Sequence, residues 1–385
     1  MQQWSFGIQR QLTQTASLTV NYVGTKSTHL HNEAIEFINQ LDPKYLGSPT
    51  GDLRSKSIGD PAVQARPEVQ AMPVDPASGN HSPFAGFETR YGSGATLGQA
   101  LRPFPQYRDV GTDMAPVGNA SYNSFQLSVT KRLSHGFSFI TSYTISKTIG
   151  DSEQNLSGFN AYWNGTNLGS NTYDRRSERS VVTYDQPQLL TLSATYELPF
   201  GRARRWLNRR GVVNQTLGGW EIAGTAKYAS GFPMAVTQCD AFSCLGNGTI
   251  FNWLGGEASL SRPNIVPGQP LKNPSYDGTY QSQYVNPKAF TETFDAFGNA
   301  PRLLSGLRTP NQASEDLSVL KNFPITERVR FQFRAEFFNA FNRHHFAPSF
   351  TNYADTFVFF GGCGCTLSNL ADSPRAIQFS ARLDW

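Results

Sequence analysis

The sequence contains no apolar run approaching the roughly 18 to 20 residues that a membrane-crossing helix requires. Its mean hydropathy is −0.41, so a helical membrane protein is excluded. Charge is scarce as well. Only 16% of the 385 residues are Asp, Glu, Lys or Arg, and the net charge of +4 is too small to imply a nucleic-acid partner. Cysteine occurs four times, in two short stretches. No Walker, GxSxG or HExxH pattern occurs, and the glycines of YGSGATLG, residues 91–98, fail the dinucleotide spacing and lack a strand-to-helix context. These absences leave no catalytic constellation and imply no cofactor. The opening MQQWSFGIQR has no basic start and apolar core, so an exported protein would carry its targeting segment outside this sequence.

Aromatic and turn-forming residues are what the chain has in quantity: 28 Phe, 15 Tyr, 34 Gly and 23 Pro. That balance leans toward β structure. Apolar residues alternate with polar ones at the strand period along the whole chain, without helix-period stripes. WSFGI puts Trp4, Phe6 and Ile8 on one face, and ASLTVNYVG does the same with Leu18, Val20 and Tyr22. SFQLSVTKRL aligns Phe125, Leu127 and Val129, and FSFITSYTI follows across Ser134-His135-Gly136, which predicts a tight hairpin. LLTLSATYEL, WEIAGTAKY and DLSVLKNF repeat the pattern. In RVRFQFRAEFF, Val329, Phe331, Phe333, Ala335 and Phe337 share one face, while Arg328, Arg330, Arg334 and Glu336 stand on the other. The terminal AIQFSARLDW alternates to Trp385. The count is about nine strands of roughly ten residues, the length a tilted strand needs to cross a bilayer.

The connections alternate in length. Leu12–Thr15, Ser134–Gly136 and Pro324–Glu327 are short, and Gly201–Gly219 is intermediate and strongly basic. Lys26–Ala120, Gly150–Pro187, Phe232–Ala313 and Asn342–Pro374 are long and rich in Gly, Pro, Asn, Ser and Tyr. Any antiparallel sheet with one buried face shows the alternation. A soluble sandwich has no reason to gather its long loops at one end, whereas an outer-membrane barrel has short periplasmic turns and long external loops. Lipid offers no hydrogen bonds, so every strand edge in it must be paired. Trp4, Tyr22, Trp220, Tyr228 and Trp385 fall near strand ends, where interfacial aromatic girdles form. The expected fold is therefore all-β: a transmembrane antiparallel β-barrel with long extracellular loops, partial because an odd number of strands cannot close it. Arg328, Arg330, Arg334 and Glu336 are expected on the lumen side, since arginine at mid-membrane facing lipid costs about 2–4 kcal/mol.

AIQFSARLDW resembles the closing strand of bacterial outer-membrane proteins, whose terminal aromatic is read by the barrel-assembly machinery. DLSVLKNFPITERVRFQFRAEFFNAFNRHHF, residues 316–346, resembles the late hairpin of Oar-like TonB-dependent receptors. YVGTKSTHLHNEAIEFINQLDPKYL and YELPFGRARRW resemble the same group, so the likeness spans essentially the whole chain in the expected order. It implies that residues 1–385 are the C-terminal part of such a receptor barrel in the outer membrane of a bacterium. The plug domain, its TonB contact and the earlier strands would lie outside this sequence. The implied activity is energised uptake of a large solute, with the arginine face lining the path or touching the plug. A passive porin or structural barrel is the alternative, and a soluble β-rich adhesin or carbohydrate-binding module a more distant one.

The other candidates read more plainly. Cys239 and Cys244 in CDAFSC, and Cys363 and Cys365 in GGCGC, lack paired zinc-knuckle spacing and suit loop disulfides in an oxidising compartment, with connectivity open. His29, His31, His344 and His345 read as surface histidines with no metal partner. GRARRWLNRRG, residues 201–211, reads as a solvated basic turn on the periplasmic side. Tyr, Trp and Asn in SGFNAYWNGTN, residues 157–167, suit sugar or peptide contacts.

Overall fold

The computed structural model describes residues 1–32, 38–46, 52–107, 110, 115–151, 171–201, 204–208, 211–236, 238–239, 260–279, 282–291, 297–326, 329–345 and 374–385. One antiparallel sheet organises the chain. Its main path joins nine strands in sequence order: β1 (Gln2–Thr13), β2 (Ala16–Asn32), β3 (Ala115–Ser134), β4 (Phe137–Gly150), β5 (Gln188–Glu197), β6 (Trp220–Ala229), β7 (Gln312–Pro324), β8 (Arg330–Phe338) and β9 (Ala376–Asp384). A two-residue strand, Ser180–Val181, adds to the end of β4. The β3–β4 turn shows why the register is firm. His135 and Gly136 both take positive φ (54° and 79°), the pairing of dihedrals that matches the twist of a tight hairpin.

Among the described residues the pairing runs β1 to β9 without closing on itself, so β1 and β9 each keep one edge unpaired there. Because the strands alternate in direction, β1 and β9 run the same way and cannot pair antiparallel. The register carries an apolar face across the sheet. Phe6 lies opposite Tyr22, and Tyr22 opposite Phe125. Leu192 lies opposite Ala226, and Val319 opposite Ile222 and Ala335. Phe333 faces Ala381 and stacks at 6.0 Å on Phe379. Trp4 lies over Gly24, where a Cβ would overlap the indole.

β2 and β3, with 17 and 20 residues, run well past the lengths that alternation marks. Beyond Gly24 the outward face turns polar, as at Lys26 and Thr28 opposite Ser121 and Asn119, yet the backbone ladder continues. Alternation reports only the span in which one face meets hydrocarbon, so it ends before the strand does. Two of the long connections hold buried cores of their own, one of them with short helices of four or five residues. One core lies within residues 38–107 and includes Leu41, Ile58, Phe87 and Leu97. A second, built from Met234, Val236, Tyr284, Phe290, Leu304 and Leu307, lies between β6 and β7.

Candidate functional site: the polar wall and its loop cap

The period of two that sends Phe331, Phe333 and Phe337 to one face sends Gln332, Arg334 and Glu336 to the other. Register joins these into a polar wall with two sectors. From β2 to β5 it is made of hydroxyls and amides: Thr19 lies opposite Ser128, Ser128 opposite Ser142, and Ser142 opposite Thr191. From β6 to β9 it is charged. Lys227 lies opposite Ser314, Asp316 opposite Thr225, and Glu336 opposite Ser318 and Gln378. Arg334 reaches Glu336 at 3.4 Å, and Arg382 reaches Asp384 at 2.7 Å. Arg330, Arg334 and Glu336 therefore share the polar face, while Arg328 lies outside the described residues. Trp4, Tyr22, Trp220 and Tyr228 stand on the apolar face, and Trp385 follows β9 with 89% exposure.

At the end of the wall away from the short turns, a cavity of about 370 Å³ opens on the polar side. Thr25, Tyr122, Thr144, Ser146 and Thr148 form its floor, and Tyr184 with Gln186 forms its rim. The rim segment is held by several bonds. The Asp185 carboxylate accepts from the Thr148 amide at 2.7 Å and from Arg308 at 2.6 Å. The Ser146 hydroxyl donates to the Gln186 carbonyl at 3.2 Å. Arg308 also donates to the Asp185 backbone carbonyl at 2.6 Å, and Tyr284 donates its hydroxyl to the Arg308 carbonyl. Burial beside Tyr276 pushes the Tyr284 phenol up to about 12. A second buried pair, Glu178–Arg262 at 2.5 Å, ties the same two connections together. The first core joins them through Gln40, which donates to Asn171 at 3.0 Å and accepts from the Thr172 amide at 2.6 Å.

These joints were not legible in the sequence. Glu178 and Arg262 are 84 residues apart, and Asp185 and Arg308 are 123 apart, with no motif linking them. The cysteine expectation meets the structure only at Cys239, in a two-residue strand paired with Leu260–Ser261; its side chain, and Cys244, Cys363 and Cys365, lie outside the described residues. Residues 157–167 lie outside them too. His29 sits at positive φ against the Thr28 hydroxyl, and His345 accepts from the Ala313 amide at 2.7 Å. The side chain of His31 is not described, and His344 is exposed. No cluster of metal-ligating side chains occurs among the described residues.

An antiparallel wall with one apolar and one polar face, capped by folded loops at one end, defines a segment of a transmembrane β-barrel. Residues 1–378 match the family model described as outer membrane beta barrel domain. The chain belongs to that family, and its place is the bacterial outer membrane. No curated protein matches it. Among solved structures, the chain is similar to the ferripyoverdine receptor of the outer membrane of Pseudomonas aeruginosa, with 13% identity, a TM-score of 0.36, and coverage of 100% of this chain and 27% of that one. For the outer membrane transporter YddB from Escherichia coli the values are 10%, 0.40, 99% and 32%. For BauA, the ferric preacinetobactin receptor from Acinetobacter baumannii, they are 10%, 0.37, 100% and 29%. The chain thus spans about a third or less of the length of these proteins.

Proposed function

We propose that residues 1–385 form the C-terminal part of the barrel of an Oar-like TonB-dependent receptor, and that the parent protein takes up a large solute with energy relayed through TonB. The observation that carries this reading is the pair of free edges. A wall in lipid must pair both edges of its sheet, and β1 and β9 are not paired with each other. Further strands would complete it, which is what the resemblance of residues 316–346 to the late hairpin of these receptors implies. In this reading Arg328, Arg330, Arg334 and Glu336 face the plug or the translocation path. The aromatics Trp4, Tyr22, Trp220, Tyr228 and Trp385 sit at the lipid interfaces, and the terminal strand is the segment engaged by the barrel-assembly machinery. The folded loops and the hydroxyl-lined cavity beneath Tyr184 would meet the solute first.

The test is genetic and functional. The reading frame around this sequence should encode a plug and additional strands, and uptake by the parent protein should stop when TonB is deleted or the inner-membrane proton gradient is collapsed. Uptake or ion conductance that persists without TonB would replace this reading with a passive pore.

A further inference from the structure

Lys321 occupies an unusual position. Its neighbours along β7 on the same face are Leu317, Val319 and Phe323, all on the lipid side of the wall. Lys321 itself is only 2% exposed. Its cover is the connection between β5 and β6, which folds back over the outer side of the sheet at the short-turn end. The Lys321 ammonium donates to the carbonyl of Thr216 at 3.3 Å and to that of Gly218, with the rings of Trp220 and Phe323 centred 5.1 and 5.0 Å away. Trp220 donates its indole N–H to the same Thr216 carbonyl at 3.0 Å. Two outward side chains therefore staple the end of the helix Val212–Leu217 to the lipid face of the wall, not to its lumen.

The stapled connection presents two kinds of surface. Trp206, Leu207, Val212 and Leu217 are large apolar groups that are 45 to 73% exposed. The same connection carries Arg202, Arg204, Arg205, Arg209 and Arg210, and no acidic residue between Leu198 and Gly219. Glu197, at the end of β5, reaches Arg204 at 2.6 Å. Arg205 lies over the Trp206 ring at 5.6 Å. Glu197 lies on the polar face, so Arg204 turns to the lumen side, whereas Arg205 stays with the exposed apolar groups. Apolar side chains beside an arginine, in a connection of strongly basic sequence stapled to the outer wall at the periplasmic end, match the boundary between acyl chains and anionic headgroups.

We propose that this connection is a lipid-docking surface for anionic phospholipid in the periplasmic leaflet of the outer membrane. Trp206, Leu207, Val212 and Leu217 rest at the acyl boundary, and Arg205 engages phosphate oxygens, for which the guanidinium fork is suited. The basic run is then an interfacial anchor and not a solvated turn. This inference rests on the barrel and its orientation, and is independent of whether uptake is energised.

The test uses the parent protein, purified from outer membranes and reconstituted into phosphatidylethanolamine vesicles containing brominated phosphatidylglycerol or brominated phosphatidylcholine. The Trp206 signal is the difference between the parent and Trp206→Phe. Phosphatidylglycerol should quench it about threefold more than phosphatidylcholine. Arg205→Ser should erode that preference and Arg205→Lys restore it, with heat-modifiable mobility unchanged in both. Absence of quenching by either lipid would put the connection in water, and equal quenching would remove headgroup recognition; each outcome overturns the proposal. If Trp206→Phe fails to insert, trypsin cleavage within residues 202–211 of the parent serves instead. Protection by phosphatidylglycerol vesicles relative to phosphatidylcholine vesicles supports the docking surface, and equal cleavage in both defeats it.

Discussion

The sheet and the loops bury opposite things. On the strands, large apolar side chains are the exposed ones: Phe6 is 68% accessible and Phe379 67%. In the loops the relation is the ordinary one for water, with Leu41, Ile58, Phe87 and Leu97 all at 0%. The difference follows from the solvent each region meets. Hydrocarbon takes the place of a core for the wall, whose stability rests on backbone pairing that lipid cannot replace. The cap stands in water and must build its own interior from short helices and turns. One polypeptide thus uses two separable sources of stability, joined where Asp185 meets Thr148 and Arg308.

The largest effects should come from the cap and its joint. Phe87 is fully buried and packs edge-on to Phe84 at 5.4 Å and against Tyr91 at 5.1 Å. Phe87→Ala is expected to cost about 3–5 kcal/mol of local stability. Hydrogen exchange should show the loss between Asp52 and Leu101 while the amides of β2 and β3 stay protected. Loss of protection in those strands would show that cap and wall unfold as one unit. Asp185→Ala strikes the joint itself. It takes the carboxylate from Arg308, which still donates to backbone carbonyls, and removes the acceptor of the Thr148 amide, a loss of up to about 3–5 kcal/mol where a buried ion pair is broken from one side. Exchange should then rise in both Ser180–Val182 and the segment around Leu303, and an effect confined to one of them would contradict the proposed link.

The wall answers to a different substitution. Phe333→Arg puts a charge on the lipid face and should cost about 2–4 kcal/mol at mid-membrane, falling toward the interfaces. Gln332→Arg, one residue away on the polar face, should be nearly neutral. Urea titration of the reconstituted parent protein would separate them; a larger cost for Gln332→Arg would mean that the two faces had been assigned the wrong way round, and equal costs would remove the distinction between them.

How much of this was legible in the sequence tracks the same division. All nine long strands could be read because lipid and water impose a period of two on each, clearest in Arg330–Phe338 and Ala376–Asp384. The extensions of β2 and β3 could not, because Lys26, Ser27 and Thr28 continue the ladder without an apolar face to mark it. The cap was opaque for another reason. Its helices are single turns, too short to display a periodic stripe, as Pro61–Gln64 and Pro67–Gln70 show. A local signal was nevertheless present. Asp60 precedes Pro61 and caps the Ala62 amide at 2.8 Å, the arrangement of a capping side chain before a first-turn proline. Lys321 was misleading in the opposite sense. A lysine on an apolar stripe looks like an error of phase until the Thr216 and Gly218 carbonyls are seen to receive it.

The smallest expected effect concerns pH and again distinguishes cap from wall. Tyr284 is held neutral by burial, its pKa raised from 10.0 to about 12, and its hydroxyl serves the Arg308 carbonyl. Tyr276, T-shaped against it at 4.8 Å, is shifted upward as well, first by burial and then by Asp277. For an acid whose folded pKa exceeds its unfolded one, the stabilisation is complete below the unfolded pKa and disappears as pH rises through the folded value. The core between β6 and β7 should therefore weaken between pH 10 and 12, by on the order of 1 kcal/mol at pH 11. Tyr284→Phe should flatten that dependence at a neutral-pH cost of about 1 kcal/mol for the lost hydrogen bond. Exchange at residues 282–308 against pH would measure it. A wall that loosened in step with the cap would mean that Arg308 transmits the change through Asp185 to β4, and that the two regions are less separable than their contrasting interiors imply.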